Sequence, residues 1–131
     1  MANAYINVYK NNPTAGGTDG TAVSTDDAFT SPISFTLDAS QNESAVQKCA
    51  IRTETGYVTT GTTTITDYND TDDRLTFCWT QDGTFEDSIS TNNPITATNT
   101  IFYVKASSAD TENPYTDTSI KVRVTCTIAS V

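Results

Sequence analysis

Five oxygen-bearing side chains crowd one short stretch, Asp67, Asn69, Asp70, Asp72 and Asp73, and oxygen ligands on alternate residues of a loop can surround a calcium ion. Asp67-x-Asn69-x-Thr71-x-Asp73 has that alternation. An EF-hand loop also needs Gly at its sixth position and Glu at its twelfth, where this chain carries Asp72 and Cys78. The expectation is a solvated connection between strands, without a specific metal site. Asp82, Glu86 and Asp87 offer carboxylate pairs of the kind glycoside hydrolysis uses, but they surround a turn signal where nothing singles out a buried member with a raised pKa. Cys49, Cys78 and Cys126 lack the imidazole that usually activates a thiolate, because the chain contains no histidine. They read as small buried hydrophobes, with one disulfide left geometrically open. Without histidine, serine triads and imidazole-based metal sites are excluded as well. The chain therefore reads as a non-enzyme with no cofactor.

What remains is the chemistry of surfaces. Tyr57, Tyr68, Trp79 and Phe85 fall at or near loops, where aromatic rings stack on sugars, but Trp79 shares a strand face with Leu75 and Phe77 and reads as core. Tyr57, Tyr68 and Phe85 are left as carbohydrate-binding candidates. Tyr5 and Tyr9 flank Asn7 on a β-prone segment, opposite Ile6 and Val8. An exposed aromatic stripe on an edge strand is expected there, and Tyr5, Tyr9, Asn11 and Asn12 are the partner-binding candidates. With 16 acidic against 7 basic residues and a net charge of -9, neither nucleic acid nor an anionic membrane is an expected partner.

The elements that would position these residues are strands. Threonine, a β-branched residue suited to pleated surfaces, is about one residue in five. Ile120, Val122, Val124, Cys126 and Ile128 alternate with polar residues, as do Ile33, Phe35 and Leu37, and Leu75, Phe77 and Trp79. Gln81-Asp82-Gly83-Thr84 then turns the chain towards Phe85 and Ile89, which reads as a hairpin. The run from Ile101 to Ala106 is apolar except for Lys105, as in the middle of a sandwich. Weaker strands cover Ala4 to Tyr9, Val46 to Arg52 and Tyr57 to Thr66. No window shows helical periodicity over a dozen residues. The class is all-β: an antiparallel β-sandwich of seven or eight strands with an immunoglobulin-like layout, a jelly roll or open barrel being the alternative. Its expected core is Ile33, Phe35, Leu37, Leu75, Phe77, Trp79, Ile101, Val122, Val124 and Ile128.

A single domain over 1–131 is expected, with a flexible loop or arm at 11–27. That segment is rich in Gly, Thr and Asp and has hardly an apolar side chain, so it becomes fixed only against a neighbour. One reading makes it the anchor, with Ala4 to Tyr9 adding a strand to a partner; the other pairs that strand inside its own sandwich. Met1 to Lys10 has no basic segment followed by an apolar run, so no secretory leader is expected.

The opening Met-Ala-Asn-Ala-Tyr-Ile-Asn-Val-Tyr-Lys, the Asn-Pro-Thr-Ala-Gly-Gly-Thr-Asp-Gly segment after it, and the closing Ile-Phe-Tyr-Val-Lys-Ala and Ile-Lys-Val-Arg-Val strands resemble small virion accessory proteins of tailed bacteriophages. The resemblance extends to phage tail modules and bacterial surface Ig-like domains. It implies a non-enzymatic part that attaches to an assembled particle, most often a capsid decoration protein, made in the bacterial host cytoplasm and released in the virion. The implied partner is the major capsid protein or another virion protein, with homo-oligomerisation left open. The alternative is a carbohydrate-binding or adhesion module.

Overall fold

A computed structural model describes residues 5–23, 44–68, 75–107 and 121–131. Eight strands occupy them: β1 (Ile6–Lys10), β2 (Thr21–Ala22), β3 (Ser44–Thr53), β4 (Tyr57–Tyr68), β5 (Leu75–Cys78), β6 (Ser88–Thr91), β7 (Thr100–Ser107) and β8 (Lys121–Ser130). They form two antiparallel sheets, one ordered β2-β1-β3-β7-β5 and the other β6-β4-β8. β3 pairs with β7 in one sheet and β4 with β8 in the other, so the β3–β4 and β7–β8 connections both cross between layers. This interlocked crossing is the core arrangement of an immunoglobulin-like sandwich. The expected strand at Ile33 to Leu37, the loop at Asp110 to Asp117 and the acidic stretch beyond Tyr68 lie outside the described residues.

Period-two alternation chooses which side chains meet between the layers. Cys49 and Ile51 of β3, Phe102 and Val104 of β7, Phe77 of β5, Ile65 of β4 and Ile89 of β6 form the buried cluster, joined by Ile95 from the segment before β7. Val122, Val124, Leu75 and Trp79 pack at its margin, and Trp79 Nε1 donates to the Ser90 carbonyl at 3.2 Å across the side where β5 and β6 diverge. Two expectations need correction. Ile101 is only half-buried and lies on the outer face, because Cys49 pairs with Phe102 and sets the inward phase of β7. Nor do Leu75 to Ile89 make a two-stranded ribbon. The turn brings Glu86 opposite Phe77, with backbone bonds of 2.7 and 2.9 Å, and the chain then leaves for the other sheet.

All three cysteines are free thiols, and burial pushes the Cys49 thiol up to about 12 against a smaller opposing effect of Lys10. A thiol held that far from ionisation packs as an apolar group.

β4 is irregular where it crosses the centre of its sheet. Thr60 pairs with Thr127 and Thr64 with Thr125, so two extra residues are accommodated in a bulge that Gly61 turns at φ 70°. Thr63 shares the inward phase of Ile65 on the regular β4–β6 ladder, and its hydroxyl is buried without a hydrogen-bond partner among the described residues. An unpaired buried hydroxyl costs about 1–3 kcal/mol, and valine has nearly the same shape without it. Thr63→Val is expected to stabilise the protein by about 1 kcal/mol, raising the melting temperature by a few degrees in a calorimetric scan.

Candidate functional site

The residues between β1 and β2 form the most elaborately held surface loop among those described. Lys10 pairs with Thr21, so the strands could be joined by a two-residue turn, yet ten residues intervene. The loop leaves β1 through Asn11 and Asn12, both left-handed at φ 66° and 60°. Asparagine is the side chain that adopts this conformation most readily after glycine. Pro13 then turns inward and is buried, while Asn11, Asn12, Thr14, Ala15, Gly16 and Thr18 remain exposed. On the return, Gly20 sits at φ 104°, where a Cβ would come within 3.0 Å of Tyr9 Cβ and 3.1 Å of the Lys10 carbonyl. Only glycine serves there without displacing the loop.

Beneath this loop lie two side chains from distant parts of the chain, Asn99 and Arg52. Asn99, the residue before β7, exchanges backbone bonds with Gly16 and Gly17, at 3.0 and 2.8 Å. Its side-chain Nδ2 donates to the Thr14 carbonyl at 3.0 Å, to Asp19 Oδ1 at 2.9 Å and, more weakly, to the Asp19 carbonyl at 3.3 Å. Its Oδ1 accepts from Arg52 Nη1 at 2.7 Å, and the same nitrogen donates to the Asp19 carbonyl at 2.8 Å. The guanidinium also lies 3.6 Å from the centroid of the Tyr9 ring, a cation–π contact. Asp19 completes the tie, accepting at 2.8 Å from both the Thr14 amide and the Thr14 hydroxyl.

Those Thr14 bonds, the backbone one first, hold the Asp19 carboxyl below its ordinary 3.8. A depressed carboxyl contributes its tie fully above the unfolded value and loses it as pH falls through the lower folded one. The loop is therefore expected to stay closed at neutral and mildly acidic pH and to loosen only below about 3.8. Amide exchange of Thr14 and Gly17 followed down the pH scale, normalised to the intrinsic exchange rate, measures this.

The sequence candidates are not gathered into one surface. β1 is flanked by β2 and β3 and is not an edge strand, which corrects the picture of an aromatic stripe open to a partner. Tyr9 is 7% exposed because Arg52 covers its ring, and Asn7 beside it is buried. Tyr5 is exposed at the opposite end of β1 from Asn11, about 20 Å of extended chain away. It stands edge-on to Tyr57 with centroids 5.0 Å apart. Asn11 and Asn12 are exposed as expected, at the start of the loop. Of the carbohydrate candidates, Tyr57 is half-buried against Tyr5 and Phe85 half-buried below Lys105, whose ammonium is 5.6 Å from the ring centroid. Tyr68 closes the far end of β4, about 35 Å of strand from Tyr57. These three do not form a common platform.

Sequence reasoning missed Asn99, Arg52 and Asp19. The loop composition indicated that a neighbour must fix it, and the neighbour is the chain's own sandwich. Thr14 and Asp19 carried a local signal, since short polar side chains in a Gly-containing loop bond readily to nearby backbone. Asn99 and Arg52 carried none, because their partners are 85 and 33 residues away. No protein-family model, curated protein or solved structure matches the chain.

Proposed function

We propose that this chain is a non-enzymatic structural protein of a tailed-phage virion, a capsid decoration or stabilising subunit that docks on the major capsid protein or another virion protein through the 11–20 loop. It is made in the bacterial host cytoplasm and resides in the virion. One observation carries the docking reading: ten residues that the β1–β2 hairpin does not need are held in place by Asn99, Arg52 and Asp19 while Asn11, Asn12, Ala15, Gly16 and Thr18 face outward. A loop held this way has already met much of the ordering cost that a partner's surface would otherwise impose. The virion assignment rests on the resemblance of the opening and closing segments to phage accessory proteins.

The test is quantitative recovery of the chain on purified particles. Full-length protein is expected at a fixed number of copies per particle. A variant in which Asn-Gly joins Lys10 directly to Thr21 keeps the hairpin register and is expected to fold yet be lost from particles. Full recovery of that variant would place attachment elsewhere, and absence of the intact chain from particles would end the virion reading.

A further inference from the structure

We propose that the outer face of the five-stranded sheet, around Lys48, Lys105, Val46 and Tyr103, docks an acidic protein segment. The proposal rests on the reading above in taking the chain to bind another protein, and it adds a second surface and the chemistry of what binds there.

Only 7 residues of this chain are basic against 16 acidic. Two of the seven, Lys48 and Lys105, stand side by side on the two central strands. β3 and β7 pair Lys48 with Tyr103 and Val46 with Lys105, so the lysines form a diagonal cross-strand pair roughly 7–8 Å apart. Neither has a carboxylate partner among the described residues, whereas Lys10 and Arg123 are engaged and Arg52 is committed to the loop. Adjacent like charges on a sheet face repel each other, and an acidic segment laid across both relieves that repulsion.

The surroundings of the lysines add apolar contact. Val46 is 40% exposed, one of few large apolar side chains open to solvent among the described residues; Tyr103 on the neighbouring strand and Phe85 beside Lys105 are half-buried. The Phe85 ring lies under the Lys105 ammonium and restrains it, which reduces the freedom that side chain loses on binding. Apolar residues between paired positive charges match a partner bearing carboxylates over an apolar base. Along an extended segment, alternate side chains recur about every 6.7 Å on one face, close to the separation of the two lysines. An acidic strand, with Asp or Glu at every second position, is the occupant that meets both ammonium groups at once.

The measurement is an NMR titration of the full-length ¹⁵N-labelled protein with an eight-residue peptide alternating Glu and Thr. Shifts are expected at the amides of Val46, Lys48, Tyr103 and Lys105, weakening with salt as exposed charge pairs do. Lys48→Gln with Lys105→Gln is expected to weaken binding at least about tenfold. Thr125→Glu with Thr127→Glu, on the outer face of the other sheet, gives the same net charge and is expected to leave shifts and affinity nearly unchanged. Equal loss in both variants, or equal binding of a control peptide alternating Lys and Thr, would overturn the proposal. Tighter binding of dextran sulfate than of the peptide would assign the face to an anionic glycan instead. Self-association in sedimentation that the lysine variant abolishes would assign it to a second copy. Peptide binding in a chain that particles do not carry removes the virion reading and keeps this face, while particle binding without peptide binding does the reverse.

Discussion

Truncating Phe102 to alanine is expected to lower the unfolding free energy by about 3–5 kcal/mol, whereas the same change at the adjacent Ile101 costs about 1 kcal/mol. Phe102 is fully buried between the sheets and packs with Cys49, Ile51, Phe77 and Val104, so its removal leaves a cavity the layers cannot close. Ile101 faces outward and is half-buried, so most of its lost contact is replaced by solvent. Urea denaturation checks this: the midpoint should fall strongly for Phe102→Ala at an unchanged slope and only slightly for Ile101→Ala. Similar losses at the two positions would mean that the pairing of Cys49 with Phe102 is wrong.

The second large effect belongs to Asn99. Its side chain is bound to the Thr14 carbonyl, both acceptor groups of Asp19 and the Arg52 guanidinium, and it is 5% exposed. Asn99→Ala removes these bonds together and leaves partly buried partners without it, at about 1–3 kcal/mol. The cost is local, because the eight core residues between the sheets are untouched. The sandwich is therefore expected to stay folded while the loop opens, with Gly16 and Gly17 losing amide protection and particle recovery falling at least tenfold. Global unfolding would show that the loop is part of the fold and not a surface mounted on it.

How far the sequence carried these conclusions differs between elements. β8 was legible because Val122, Val124, Cys126 and Ile128 alternate with charged and hydroxyl residues, so one face is unambiguous. β7 was legible as a strand but not in phase, since a run of Ile, Phe, Tyr and Val offers two apolar faces and only pairing with β3 selects one. β2 is two residues long and has no pattern to read. The site was half legible: Asn11 and Asn12 were marked by a polar turn composition, while Arg52 of β3 and Asn99 just before β7 are remote in the chain and meet the loop only after the fold forms. Tyr9 misled because alternation on β1 distinguishes two faces without saying what covers the second, which here is Arg52 and the loop itself. The lysine pair was invisible for the same reason, as 57 positions separate two residues that the β3–β7 register makes neighbours.

Electron cryomicroscopy of the intact particle tests the central claim most directly. Density for the sandwich is expected at regular positions on the particle, with the exposed residues of the 11–20 loop against a neighbouring virion protein. A map in which that loop points into solvent while another surface makes the contact, or in which no copy of the chain is present, would contradict it.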